Sequence, residues 1–148
     1  MIYSHDILLL LIKIYVSEMD ESTEKLSEAE KAEIKEKIFN YSGLDTTSLG
    51  LYANCMSIYD LEDNLIISKR IIKKFKDNQD LKIQEALLTI IDNLLSSCIE
   101  NKREDEASVF IQFADQIKTR QELLFVKKCF FVMKKLIDYH RTGGSRRL

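Results

Sequence analysis

The sequence predicts an all-α fold: a right-handed array of antiparallel helical hairpins of tetratricopeptide-like type, with about seven helices. Three observations carry that expectation. Proline is absent from all 148 residues, so no helix interior lacks a backbone donor for that reason. Apolar residues recur at helical spacing along nearly the whole chain. Hairpins restart near residues 4, 47, 81 and 120, an interval of roughly 34 to 43 residues that suits stacked helix pairs. The tetratricopeptide consensus itself is absent, and a four-helix bundle with extra helices is the competing fold.

The first helix is expected from about Ser4 to Ser17, with the acidic stretch Glu18–Glu24 ending it. Its abrupt apolar start suggests an excerpt from a longer protein. The second begins at a capping box, in which the Ser27 hydroxyl and the Glu30 carboxylate satisfy each other's backbone amides. Glu33 and Lys37 add a pair on its wet face, Ile34, Ile38 and Tyr41 mark the inner stripe, and Gly43 supplies a left-handed stop. A third helix is expected over Thr47–Tyr59. Asp60 caps the fourth, whose inner face reads Leu61, Leu65, Ile72 and Phe75. So short a connection predicts an antiparallel pair.

The fifth helix, Leu81 to Glu100, carries Ala86, Leu87, Ile90, Ile91, Leu94, Leu95 and Cys98 on a face wide enough for neighbours on both sides. A charged turn, Asn101 to Asp105, leads to a sixth helix marked by Ala107, Phe110, Ala114 and Ile117. The last is expected to start at a second capping box, Thr119 with Glu122, and to run to about His140. Its polar residues form a narrow strip, with Lys127–Lys128 and Lys134–Lys135 seven apart. The rest is apolar, more than one neighbour covers, so a homodimer through Phe125, Phe131, Val132, Leu136 and Tyr139 is the simplest expectation. The alternative is a helix buried under its own chain. Residues 1–141 are expected to form one sensing and dimerisation domain, and 142–148 a flexible tail.

Composition narrows the function. With 45% apolar and 31% charged residues the chain is a folded domain, and a net charge of −2 supplies no basic field for nucleic acid. Cys55, Cys98 and Cys129 stand singly on apolar faces without metal or disulfide spacing, and read as small buried hydrophobes. The early apolar run Ile7–Ile12 falls short of the about 20 residues a bilayer needs, and no signal-peptide pattern surrounds it. A cytoplasmic location without membrane contact is expected. His5 and His140 stand far apart, no Gly-rich phosphate loop or HExxH occurs, and neither catalysis nor a cofactor or metal is expected.

A curved helical surface suits an extended peptide, whose backbone needs donors and acceptors. Asn54 and Asn93 supply both from one short amide, with Ser57 and Ser97 on their respective faces. Arg70 is a candidate for a peptide carboxylate, and Phe130 and Met133 for an adaptable apolar wall. For each residue the plainer alternative is an ordinary structural role in core or solvated face.

The phrase Leu49-Gly-Leu-Tyr-Ala-Asn-Cys-Met-Ser-Ile-Tyr-Asp-Leu-Glu-Asp63, followed by Ser68-Lys-Arg-Ile-Ile-Lys-Lys-Phe75, resembles the C-terminal regulatory domain of the Rgg/GadR/MutR transcription regulators. The flanking helices Glu33–Tyr41, Ile83–Leu95 and Glu122–Tyr139 fit the same layout. The resemblance implies a Gram-positive bacterial regulator with a helical-repeat domain and a homodimer held by C-terminal helices. It implies DNA contact only through an N-terminal domain missing here, and a short hydrophobic peptide as quorum-sensing ligand, with Asn54 at the family's helical Asn position. The alternative is a stand-alone helical-repeat adaptor for another protein, without a DNA role.

Overall fold

A computed structural model describes residues 5–19, 25–40 and 45–144. Among the described residues the regular structure is helical throughout, with seven α-helices as expected: α1 (His5–Met19), α2 (Glu28–Asn40), α3 (Thr46–Cys55), α4 (Leu61–Phe75), α5 (Leu81–Glu100), α6 (Ser108–Gln116) and α7 (Leu124–Arg141). Short 3₁₀ turns occupy Met56–Ile58, Glu104–Ala107 and Gln121–Leu123. The helices fall into two compact units that divide at Ile58 and Tyr59.

In the first unit α1, α2 and α3 pack pairwise on one another. Leu11 and Ile14 of α1, Ile34 and Ile38 of α2, and Leu49, Leu51, Tyr52 and Cys55 of α3 are buried. The first capping box forms as read: the Ser27 amide donates to Glu30 (2.8 Å) and the Glu30 amide to the Ser27 hydroxyl (3.2 Å). Lys13 of α1 also donates to Glu30. That ammonium, with the Ser27 amide, holds the Glu30 carboxyl down at about 2. The Glu33–Lys37 pair closes at 2.6 Å. Tyr41 and Gly43 lie outside the described residues. α3 has a cap the sequence reading overlooked: the Asp45 carboxylate accepts from the Ser48 amide (2.8 Å) and hydroxyl (3.0 Å), which hold it below the usual carboxylate range.

In the second unit α5 is the central element, packed against α4, α6 and α7. Its predicted bounds hold, and Leu87, Ile90, Ile91, Leu94, Leu95 and Cys98 are all but fully enclosed. Asp80 caps it by accepting from the Lys82 and Ile83 amides, and Asp60 caps α4 through the Asp63 amide (2.8 Å). The inner face of α4 is rotated from the expectation. Asn64, Leu65, Ser68, Ile71 and Phe75 are buried, whereas Leu61 and Ile72 are half-buried. Two polar residues point inward because the interior offers them partners: the Asn64 amide reaches the Tyr59 carbonyl at 3.4 Å. Arg103 pairs with both Glu62 and Glu106, linking the start of α4 to the 3₁₀ turn after α5.

The second capping box does not form. α7 is entered through the Gln121–Leu123 turn with no side-chain cap, and the buried Leu123 anchors that turn. Its far end closes on Gly143 and Gly144, with φ of 80° and 57°, through amides donated to the His140 and Tyr139 carbonyls (both 3.1 Å).

Two features make stability predictions. Lys102 sits at φ 55° just past α5, where the following Arg103 amide reaches back to the Cys98 carbonyl at 2.8 Å. A side chain in that left-handed cap costs energy that glycine does not. Lys102→Gly is therefore expected to raise unfolding free energy by about 0.5–1 kcal/mol in urea; a loss of stability would contradict the cap. Within α5, Asp92 Oδ1 is buried without a hydrogen-bond partner, and burial pushes the carboxyl from 3.8 up to about 7. The folded state then holds its proton more tightly than the unfolded one. That contribution is full below the unfolded value and is lost as pH rises through about 7. Asp92→Asn should match the native chain at pH 4 and exceed it by about 1–3 kcal/mol at pH 8. Equal stability of the two at both pH values would refute this.

Candidate ligand and partner surfaces

Around Asn54 the α3 sequence turns nearly everything inward: Leu51, Tyr52, Ala53, Cys55 and Met56 are buried, while Asn54 and Ser57 are exposed. The Tyr15 hydroxyl donates to Asn54 Oδ1 at 2.9 Å. The carbonyl end of the amide is thus oriented from α1, and the amide also carries two N–H donors. Tyr15 belongs to a row of exposed apolar side chains along α1, with Leu8, Ile12, Val16 and Met19. The spacing follows the helix, so these residues form one continuous face beside Asn54. Sequence reasoning missed this face. The signal was present, because the Ile7–Ile12 run is apolar on every side of the helix, more than a single packing face uses.

The other ligand candidates lie in the second unit. Asn93 is exposed and Ser97 half-buried, one turn apart on α5, and Arg70 is exposed on α4. Phe130 is only 3% exposed and Met133 is half-buried. Phe130 sits under the Lys127 ammonium, 5.6 Å from the ring centre. That ammonium donates to the Ala114 carbonyl at 2.6 Å, satisfying an end of α6, and burial lowers its pKa.

The paired lysines of α7 separate by role. Lys127 and Lys134 turn toward α6, the latter to Asp115 at 2.5 Å. Lys128 and Lys135 stay on the outer face, where Lys135 lies 5.4 Å from the centre of the Phe131 ring. The inner stripe of α7 is Phe130 and Ile137, continued by Leu123 in the turn before it. Outside it, every predicted interface residue is exposed: Phe125 by 77%, Phe131 by 58%, Val132 by 56%, Leu136 by 42% and Tyr139 by 58%. An open groove of about 570 Å³ runs beside them, lined by Asp115, Leu124, Lys128 and Phe131 among others. At the C-terminal end His140 Nδ1 lies 2.8 Å from Glu104, and Arg141 donates to the Ser108 hydroxyl (2.8 Å). These contacts fix the end of α7 on the 3₁₀ turn before α6.

Cys55 and Cys98 are enclosed, and burial pushes their thiols up to about 12 and about 11, far from a nucleophile's range. Among the described residues no group of three His, Cys, Asp or Glu side chains could hold a metal ion. No described helix is long and apolar enough to cross a membrane. The surfaces on offer are therefore apolar faces with a few oriented amides and lysines.

Compared with known proteins, the chain matches one family model, described as the C-terminal domain of the HTH-type transcriptional regulator Rgg, over residues 3–146. No curated protein and no solved structure matches it. The match runs through every described helix, from α1 to the glycine cap of α7. The chain thus belongs to the family of Rgg C-terminal domains, part of a transcription regulator of the HTH type.

Proposed function

We propose that this domain senses a short, extended, apolar peptide and pairs with a second copy of itself through α7, while DNA is held by a separate N-terminal module of the regulator. The dimerisation part rests on one observation. The outer face of α7 keeps large apolar side chains in water, Phe125 foremost at 77% exposure. Exposed rows of this size mark surfaces that meet other molecules. A stand-alone adaptor role draws no support from the family match.

The peptide part is supported by the Tyr15–Asn54 pair beside the bare face of α1. An oriented amide can satisfy a peptide backbone while the neighbouring apolar row receives alternate side chains. Ser57 extends the polar edge of that face. Arg70, Asn93 and Ser97, with Phe130 and Met133, form a second set of candidate contacts. Binding would bias the packing of helices and so the spacing of two DNA-binding modules.

Two experiments test these parts separately. In calorimetric titrations with short apolar peptides, Asn54→Ala is expected to weaken binding by at least about tenfold, and Tyr15→Phe by about threefold to tenfold. Unchanged affinity in both variants would remove Asn54 from the site. In light scattering the native chain should have dimer mass, and Val132→Glu should have monomer mass with unchanged helicity. A dimer that survives Val132→Glu would place the interface elsewhere.

A further inference from the structure

The open groove of about 570 Å³ lies on the flank of α7 that is turned to α6. Its volume falls within the range of small-molecule sites. Leu124, Lys127, Lys128 and Phe131 follow one another at i, i+3, i+4 and i+7, so they share that flank. Phe130 and Val132 complete the apolar wall, while Asp115 of α6 and Thr119 after it close the other side.

Cations in this groove exceed acids. Asp115, the one carboxylate in the lining, is engaged by Lys134 at 2.5 Å. Asp138 shares the flank but stands seven residues past Phe131, outside the lining. Among the described residues no carboxylate forms an ion pair with Lys127 or Lys128. Lys127 is half-buried, and its ammonium donates to a neutral acceptor, the Ala114 carbonyl at 2.6 Å. Two of its three N–H donors are left for another group. Burial already disfavours its charge, and an anion in the groove would relieve that cost.

We propose that this groove binds a small amphiphilic anion, a monocarboxylate on an aliphatic chain, with its head on the Lys127 and Lys128 ammoniums and its tail along Leu124, Phe130, Phe131 and Val132. This ligand differs in class and place from the peptide proposed for the Asn54 surface. Charge complementarity selects the head: no arginine lines the groove, so the planar fork that favours phosphate is lacking. The exposed Thr119 hydroxyl adds a neutral donor at the rim. The lining selects against a peptide, because it contains no Asn or Gln side chain. An extended backbone would lose water there without gaining partners for its amides, and an aliphatic chain has no such groups.

Calorimetric titration of the full chain with sodium octanoate tests this. One octanoate per chain is expected to bind saturably. Hexanoate should bind at least about threefold more weakly for its shorter tail. Neutral 1-octanol should bind at least about tenfold more weakly for its missing charge. Lys127→Met keeps the apolar stem and removes the ammonium, and should weaken octanoate binding by at least about tenfold. Leu124→Glu sets a carboxylate three and four residues before the two lysines, in the first turn of α7 where an acid suits the helix. It should keep native helicity and lose octanoate binding to the same extent, so it carries the test if Lys127→Met unfolds. Absence of saturable binding, equal affinity for 1-octanol, or native affinity in Leu124→Glu would each overturn the proposal. A short apolar peptide that displaces octanoate at lower concentration would assign the groove to a peptide end and overturn the ligand class. Each outcome is read from octanoate, so the Asn54 contacts and the pairing of two copies stand or fall by their own experiments.

Discussion

A helix packed on one layer of neighbours hides one stripe of its surface, and apolar side chains beyond that stripe remain in water until another surface meets them. α7 exceeds what its own unit covers. Leu123, Phe130 and Ile137 serve the packing against α5, yet Leu124, Phe125, Phe131, Val132, Leu136 and Tyr139 all stay exposed. α1 has the same character, with Leu11 and Ile14 inward and Leu8, Ile12, Tyr15, Val16 and Met19 outward. Uncovered apolar area of this extent is costly to keep in solution, at about 25 cal/mol per Å². These two faces, and not a titratable cluster, are what the domain offers to other molecules.

Polar chemistry then orders those faces. Lysines seven residues apart on α7 divide between two tasks: Lys127 and Lys134 fasten the helix to α6, and Lys128 and Lys135 border the outer row. On α1 a single hydroxyl, that of Tyr15, fixes the carbonyl of Asn54 at the edge of the apolar row. Glu104 and Ser108 hold the end of α7 through His140 and Arg141. Each device is local, and each fixes the direction of a face that would otherwise be featureless.

Much of the fold was legible because its signals are local. The Ser27–Glu30 box, the Asp60 cap and the bounds of α5 need only a few neighbouring residues to operate. The Asp45 and Asp80 caps were equally local and were passed over. Failures arose where tertiary packing overrode a local pattern. Thr119 and Glu122 match a capping box, but the burial of Leu123 draws the chain into a 3₁₀ turn first. Asn64 and Ser68 turn the α4 stripe because a polar side chain with an interior partner can be buried. Of the surfaces, the outer row of α7 could be read from an excess of apolar positions. The α1 row had the same kind of signal in its all-round apolar run, but its Tyr15–Asn54 contact could not be read, because pairing residues 39 positions apart in sequence requires the packed α1–α3 interface.

The central claim is that the outer face of α7 is covered in solution by its counterpart on a second copy. Sedimentation equilibrium of the unaltered chain over a range of micromolar concentrations measures this most directly. The account predicts a mass of two chains that persists on dilution until dissociation sets in as one reversible step. A single-chain mass at every concentration, with the protein soluble and helical, would contradict it.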